Sequence, residues 1–209
     1  FNPIHIGHLL VATYLREAKL KIGLYFGSFN PIHIGHLLVA TYLREAAQLD
    51  EIWFIVSPQN PFKKNIDLAA EQHRLEMVKI AIKNIEYFKV NDIEFQLRKP
   101  SYTHITLKQL KQDFPTHQFS LIIGEDNMYE LHKWKEINWI LENIEVLVYN
   151  RSNKNEKMKN ENKQLRFYTL PLMDISSTEI RKRILDNQSI TYFVPESVEL
   201  YIKFHNLYH

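Results

Sequence analysis

The feature that most constrains this chain is the stretch from Gly27 to His36, which lies between an apolar run and a helical pattern. The apolar run, Ile22 to Phe26, predicts a strand, and the helical pattern begins near Gly35. A strand that turns into a helix here places small residues and two histidines, His33 and His36, at the helix N-terminus. Backbone N–H groups and the helix dipole favour a phosphate group at such a position. The stretch therefore predicts a phosphate-binding loop.

The letters of this stretch, G-S-F-x-P-x-H-x-G-H, resemble the signature of the nucleotidyltransferase superfamily of adenylyl- and cytidylyltransferases. In that superfamily the two histidines contact the phosphates of the nucleotide and stabilise the transition state. The resemblance therefore implies that His33 and His36 are catalytic. It also implies a set of ATP-phosphate contacts from the loop itself, namely Gly27, Ser28 and Phe29.

Two positions depart from the commonest form of this signature, since Phe26 stands where glycine is usual and Asn30 where aspartate is usual. Neither change removes a donor that faces phosphate, so the implied reaction class is unaffected. His33 and His36 are three residues apart and share one helix face if the helix starts by His33. We expect no protein-held metal, because no nearby Asp, Glu or Cys completes a ligand set. Magnesium is expected to arrive with ATP.

A second motif, Ile175 to Arg181, reads I-S-S-T-E-I-R and predicts the start of a helix. A serine at the N-cap with Glu179 in the first turn is sufficient by itself to begin a helix. The run also matches the ISSTxIR motif of the same superfamily, where it holds the triphosphate. The implied ATP-phosphate contacts are Ser176, Ser177, Thr178 and Arg181. Arg181 is also implied in catalysis, because its guanidinium offers a permanent fork of donors.

Three further segments resemble the nicotinate-nucleotide adenylyltransferases of this superfamily. The loop from Ser57 to Lys64 resembles that family's Pro-rich loop ending in a basic residue, and it adds Lys64 to the implied catalytic set. The run from Ser101 to Leu107 resembles its SYTxxTL segment, and the run from Gly124 to Trp134 resembles its G-x-D…W segment. The implied nicotinate mononucleotide contacts are Tyr102, Thr103, Asp126 and Trp134. Family analogy implies that Asp126 contacts the ribose or the nucleotide, and that Trp134 contacts the pyridine ring.

Strand and helix patterns alternate from Lys21 onward and predict one α/β domain, residues 19–209. The expected architecture is a Rossmann-like nucleotidyltransferase fold, a parallel sheet with helices on both faces. Strands are predicted at 21–26, 52–56, 88–90, 93–96, 119–123, 146–149 and 167–170. Helices are predicted at 35–47, 69–83, 103–113, 125–131, 137–142, 176–186 and 195–205. Both motifs follow strands, and ligands bind at the carboxyl ends of such strands, so we expect one shared site.

Charge and composition exclude several classes of partner and chemistry. The 209 residues carry 26 Lys and Arg against 24 Asp and Glu, so a net charge of +2 does not indicate nucleic acid or membrane as a partner. The chain lacks cysteine, which excludes disulfides and thiol chemistry. We find no signal peptide and no run of 18 apolar residues, and we expect a cytoplasmic enzyme. The expected partners are ATP and nicotinate mononucleotide, and a homo-oligomer is left open.

Several alternatives share parts of these motifs. The letters of His33 to His36 also occur in class I aminoacyl-tRNA synthetases, which add a KMSKS-type loop that this chain approaches only at Lys157 to Lys159. A phosphopantetheine adenylyltransferase or a cytidylyltransferase would leave the SYT and G-x-D…W segments unexplained. A nicotinamide mononucleotide adenylyltransferase stays open as an alternative acceptor choice. A nucleotide-binding protein without catalysis would be expected to lose a histidine or Arg181, and all are present.

Residues 1–18 repeat residues 29–46 letter for letter. The first copy lacks the preceding strand and the Gly-Ser turn, so it cannot build the phosphate loop. We interpret it as an artefact of how the chain was made or numbered, or as a very recent duplication. The domain is expected to begin near Lys19.

The repeat allows a direct test of which copy contributes to turnover. Because the first copy lacks its strand and turn, we expect deletion of residues 1–18 to leave turnover unchanged. His5→Ala and His8→Ala are expected to be silent, whereas His33→Ala lowers turnover. The measurement is pyrophosphate release from ATP with nicotinate mononucleotide. A large loss of activity on deletion would show that the first copy is a working part.

Overall fold

The computed structural model describes residues 19–58, 68–97, 99, 101–150, 163–171 and 174–209. The repeat at 1–18, the predicted catalytic Lys64 and most of a polar loop at 150–164 lie outside these described residues.

The described residues form one sheet of six strands in the order β3-β2-β1-β4-β5-β6, with every neighbouring pair parallel. The strands are β1 Lys21–Gly27, β2 Glu51–Val56, β3 Phe88–Asn91, β4 Gln118–Gly124, β5 Glu145–Asn150 and β6 Leu165–Thr169. Parallel strands buried on both faces are near-continuous apolar runs, as in Ile52 to Val56. The predicted parallel α/β sheet is confirmed.

The α-helices are α1 Ile34–Ala46, α2 Glu71–Ile82, α3 Ile93–Gln96, α4 Thr103–Asp113, α5 Glu125–Tyr129, α6 Ile137–Asn143, α7 Ser177–Leu185 and α8 Glu196–Phe204. A single 3₁₀ turn, Leu131–Lys133, lies between α5 and α6. Among the helices of the described ranges, none has both the length and the apolar character needed to cross a membrane.

Helices cover both faces of the sheet, because side chains alternate along the strands. In β1, Tyr25 belongs to one buried apolar cluster and Leu24 to the other. The first cluster also takes side chains from α1, α2, α7 and α8, such as Val39, Leu75, Ile180 and Val198. The second takes side chains from α4 and α6, such as Leu107, Leu110 and Ile140. The prediction of helices on both faces is confirmed.

The predicted strand at 93–96 is wrong, because these residues form the one-turn helix α3. The Asn91 side chain accepts a hydrogen bond from the Ile93 N–H at 2.8 Å, which turns the chain away from the sheet. Local bonds of this kind from an asparagine compete with a β-ladder. The turn carries Glu94 into the interior, where 2% of its surface stays exposed.

The sheet order reverses at β1, whose neighbours are β2 on one side and β4 on the other. Open α/β sheets form their ligand crevice at such a reversal, outside the carboxyl ends of the strands. Here those ends are Gly27 of β1 and Gly124 of β4. The topology therefore directs the loop of the first motif and the G-x-D segment to the same edge of the sheet.

Candidate active site

A cleft of about 550 Å³ opens at this edge of the sheet. It is lined by all the predicted site residues that the structure describes, namely Gly27, Ser28, Phe29, His33, His36, Tyr102, Thr103, Asp126, Trp134, Ser176, Ser177, Thr178 and Arg181. Lys64 lies outside the described residues, so its predicted role stays a prediction. The fold thus brings the two phosphate motifs to one cleft with the runs from Ser101 to Leu107 and from Gly124 to Trp134, which we call the acceptor segments.

The two histidines of the first motif stack on each other, with ring centroids 3.7 Å apart and ring planes 28° apart. His33 is the N-cap residue of α1, and its backbone N–H donates to Nδ1 of His36 at 3.3 Å. The predicted shared face is confirmed. Because Nδ1 accepts this bond, a neutral His36 carries its ring proton on Nε2 and can donate from there.

The glycine between the histidines, Gly35, leaves room for the His33 ring. A Cβ atom at Gly35 would lie 3.0 Å from Nδ1 and 3.1 Å from Cε1 of His33, so the His33 ring lies against the bare Gly35 backbone. The N–H of Ile34, the first of the helix, donates to the Phe193 carbonyl at 2.9 Å. This N–H is therefore already bonded within the protein, and the start of α1 has one N–H fewer for a phosphate.

Phe29 supports the histidine pair. Its ring is 1% exposed and lies edge-on to His36 with centroids 5.1 Å apart. Its φ of 45° is in the left-handed region, an unusual conformation for a bulky residue. A Cβ atom at Gly27 would come within 2.8 Å of this ring, so the motif needs a glycine there. With the ring buried, a phosphate contact from Phe29 would have to come from its backbone.

The second motif begins α7 as predicted. Ser176 is the N-cap, and its hydroxyl oxygen accepts from the Glu179 N–H at 3.1 Å. The N–H groups of Ser177 and Thr178 occupy the first two helical positions, which have no intrahelical acceptor. These two N–H groups and the helix dipole suit an anion at the cleft.

Side chains of α7 bond directly to the loop of the first motif. The Ser177 hydroxyl donates to the Pro31 carbonyl at 2.9 Å, which uses its only proton. Nη1 of Arg181 donates to the Asn30 carbonyl at 2.8 Å, and Nη2 lies 3.5 Å from the Thr178 hydroxyl. Arg181 has five N–H donors, so donors remain for a ligand.

Asn30, which stands where aspartate is usual, is 1% exposed. Its side-chain oxygen accepts from the Ala69 N–H at 3.1 Å and from the Tyr208 hydroxyl at 2.9 Å. Burial raises the pKa of Tyr208, although Arg181 and Arg74 oppose the shift, so the phenol is protonated and donates at neutral pH. The bond ties the C-terminal residues to the phosphate loop, and no sequence pattern pointed to Tyr208.

Arg74 is a buried residue to which the sequence pattern gave no role. Its side chain is 1% exposed on α2 and donates to four backbone carbonyls. These belong to Ser28 at 2.6 Å, Ser57 at 2.7 Å, Pro58 at 2.9 Å and Ala69 at 3.0 Å. Burial lowers the pKa of Arg74, but a guanidinium keeps its proton in proteins. One buried cation thus joins the loop after β1 to the loop after β2.

The acceptor segments also line the cleft. Tyr102 is the N-cap of α4, Thr103 is its first residue, and Trp134 follows the 3₁₀ turn. Glu94, which sequence reasoning also missed, accepts from the Ser101 hydroxyl and from a second hydroxyl, both at 2.9 Å. The second donor is Thr106 on α4. Glu94 therefore holds the segment before Tyr102 against α4.

Asp126 lies in the first turn of α5, directly after the carboxyl end of β4. A Cβ atom at Gly124 would lie 2.5 Å from its Oδ1, so the glycine leaves room for this carboxylate. Across the part of the chain that the structure describes, no group of three or more His, Asp or Glu side chains is arranged to hold a metal ion.

Comparison with known proteins identifies the family. The cytidylyltransferase-like family matches residues 24–183. The "Probable nicotinate-nucleotide adenylyltransferase" of Flavobacterium johnsoniae is 46% identical over 211 residues, covering 100% of this chain and 94% of that protein. A protein of the same name from Cytophaga hutchinsonii is 46% identical over 180 residues, covering 86% of this chain and 94% of that protein. The chain belongs to the nicotinate-nucleotide adenylyltransferase family.

The fold agrees with this family. Plasmodium falciparum nicotinic acid mononucleotide adenylyltransferase, solved in complex with NaAD, superposes with a TM-score of 0.72. The match covers 90% of this chain and 97% of that one at 22% sequence identity, so it supports the fold alone. The predicted Rossmann-like nucleotidyltransferase fold is confirmed, and this nicotinate-nucleotide adenylyltransferase family member carries both phosphate motifs on one cleft.

Arg74 leads to a stability prediction. Arg74→Met keeps an unbranched side chain but leaves four carbonyls, one buried and three partly buried, without their donor. An unsatisfied buried polar group costs about 1–3 kcal/mol, so we expect the free energy of unfolding to fall by more than about 3 kcal/mol. Urea unfolding followed by circular dichroism measures this change.

The matched control is Lys79→Met on the same helix, since Lys79 forms an exposed ion pair with Glu76. Such a pair is expected to contribute less than about 1 kcal/mol. Equal unfolding midpoints for the two variants would contradict the role given to Arg74.

Proposed function

We propose that this cleft joins Mg-ATP and nicotinate mononucleotide to give deamido-NAD and pyrophosphate. The observation that carries the proposal is the meeting of both phosphate motifs and the acceptor segments on one cleft. Membership of the nicotinate-nucleotide adenylyltransferase family supports the same reaction. An oxygen of the mononucleotide phosphate attacks the α-phosphorus of ATP and forms a new P–O bond. The bond from that phosphorus to the oxygen that bridges to the β-phosphate breaks, and pyrophosphate leaves with the electron pair.

This chemistry needs no general base, because the attacking phosphate is already ionised near pH 7. Catalysis then consists of positioning and charge stabilisation, as for phosphoryl transfer in general. We assign the stabilisation to His33, His36 and Arg181, with Lys64 as a further cation. Their support is geometric, since the histidine rings are stacked and Arg181 is anchored to the motif loop. Donors that are fixed before the reaction stabilise developing charge without reorganising.

The remaining phosphate contacts follow from the two loops. We assign Gly27 and Ser28 to close backbone approach, and the N-terminal N–H groups of α7 to the β- and γ-phosphates. The Ser177 hydroxyl already donates to Pro31, so its contribution to a phosphate would come from its N–H. Magnesium enters as part of the ATP substrate and keeps most of its water ligands.

At the acceptor end, we assign the pyridine ring to the face of Trp134 and the ribose to Asp126. Trp134 lines the cleft and is half-buried, so part of its surface is open to a ligand. Aromatic stacking contributes about 0.5–1.5 kcal/mol beyond area burial. Thr103, at the first position of α4, has a backbone N–H without an intrahelical acceptor, which suits a carboxylate.

His36 provides the test of the catalytic assignment. Removal of one preorganised donor costs about 10²-fold or more in kcat, so His36→Ala should lose at least that much. Pyrophosphate release measures kcat, and thermal unfolding checks that the variant is folded. His117→Ala, at a half-buried histidine outside the cleft lining, is the matched control. Near-normal turnover in His36→Ala would remove the catalytic role from this residue.

Acceptor choice is a separate prediction. A carboxylate makes charge-assisted hydrogen bonds, which are about twice as strong as neutral ones. An amide would present an NH₂ donor to protein donors, and each unpaired group costs about 1–3 kcal/mol. The ratio of kcat/KM for nicotinate mononucleotide to that for nicotinamide mononucleotide should therefore be at least about tenfold. Both values are measured with Mg-ATP in excess.

Trp134→Ala is the companion variant for this measurement. Stacking does not distinguish the acid from the amide, so the substitution should weaken both substrates and leave their ratio unchanged. Equal kcat/KM values in the unaltered enzyme, or a preference for the amide, would refute acid specificity while leaving adenylyl transfer intact.

A further inference from the structure

Lys135 lies directly after Trp134 and lines the cleft. Its Nζ atom lies 3.8 Å from the centroid of the Tyr102 ring, the geometry of a cation–π contact. Tyr102 caps α4, whereas Lys135 belongs to the connection between the 3₁₀ turn and α6. The contact therefore joins the segment of Tyr102 to the segment that follows Trp134. It keeps an ammonium group beside two residues that we assign to nicotinate mononucleotide.

Among the described residues, no carboxylate lies within ion-pair distance of the Lys135 ammonium. Its neighbours are paired, Lys133 with Glu130 and Lys108 with Glu136. An ammonium has three N–H donors, so contact with a ring face leaves donors for a ligand.

The charge of Lys135 acts on the neighbouring His104 at the start of α4. Burial lowers the pKa of His104, and Lys108 and Lys135 lower it further against an opposing effect of Glu136. The His104 ring is therefore neutral at pH 7. Glu94, a buried carboxylate that lines the cleft, has each of its oxygens accepting from a hydroxyl group.

We propose that Lys135 is the residue that selects the acid over the amide, with its ammonium paired to the pyridine carboxylate of the bound mononucleotide. The inference rests on the proposed function, because it uses the pyridine site assigned to Trp134. A carboxylate gains a charge-assisted hydrogen bond from this ammonium. A carboxamide offers only a neutral oxygen, and its NH₂ group would face a donor. Acid preference should therefore follow the charge at position 135.

The experiment compares Lys135→Met, Lys135→Arg and Lys135→Glu with the unaltered enzyme. kcat and KM are measured for nicotinate and nicotinamide mononucleotides with Mg-ATP in excess, and chromatography identifies the dinucleotide formed. Lys135→Met should lower the acid-to-amide ratio of kcat/KM about tenfold, equivalent to about 1.4 kcal/mol. The loss should appear in KM for the acid, with kcat and the values for the amide little changed. Lys135→Arg should keep most of the ratio, and Lys135→Glu should lower it further.

Lys133→Met is the matched control, because Lys133 is an exposed, ion-paired lysine that lies two residues earlier and does not line the cleft. Its acid-to-amide ratio should equal that of the unaltered enzyme. An unchanged ratio in Lys135→Met would overturn the inference, and so would an equal loss for both substrates, which indicates a merely structural role. In either case deamido-NAD formation by the unaltered enzyme would leave the proposed function standing. If the unaltered enzyme released no pyrophosphate with either mononucleotide, the proposed function itself would fail, and the inference with it.

Discussion

The structure depends on how the loop from Ser28 to Pro31 is held. This loop belongs to neither the sheet nor a helix, so its carbonyl groups need partners from elsewhere. Arg74 bonds the Ser28 carbonyl from α2, Arg181 bonds the Asn30 carbonyl from α7, and a serine of α7 bonds the Pro31 carbonyl. Three side chains from distant parts of the sequence thus replace the regular hydrogen bonds that the loop lacks. The loop is fixed without becoming part of a β-ladder, and the cleft beside it stays open.

The same arrangement sets the position of the two histidines that we propose as catalytic. Phe29, inside this loop, places its buried ring against His36, and His36 stacks on His33. A group that is held from several sides before substrate arrives loses little freedom when it meets developing charge. Arg181 has both functions, because its guanidinium donates a hydrogen bond to the loop and also lines the cleft. In the proposed mechanism, the same atoms of Arg181 therefore serve both stability and catalysis.

The residues that we propose for the two substrates differ in their electrostatics. The proposed phosphate site combines a helix N-terminus, an arginine and a histidine pair, which suits the spread charge of a triphosphate. The proposed acceptor site has aromatic side chains and the ammonium of Lys135 over Tyr102. A flat heteroaromatic ring with one carboxylate needs a ring face and one cation, rather than a cluster of donors. The two halves of the proposed reaction are thus matched by two kinds of surface on one sheet edge.

The sequence by itself determined the parallel α/β fold, the two phosphate motifs and the helix start at Ser176. Each of these is a local pattern, either an apolar period or a short run that fixes its own backbone. The strand predicted at 93–96 failed because a side-chain bond from Asn91 redirects the chain there. Only the tertiary structure decided the contacts of Arg74, Tyr208 and Lys135. Their partners lie far away in sequence or on another element, and hydrogen bonds and ring contacts across such distances leave no periodic trace in the chain.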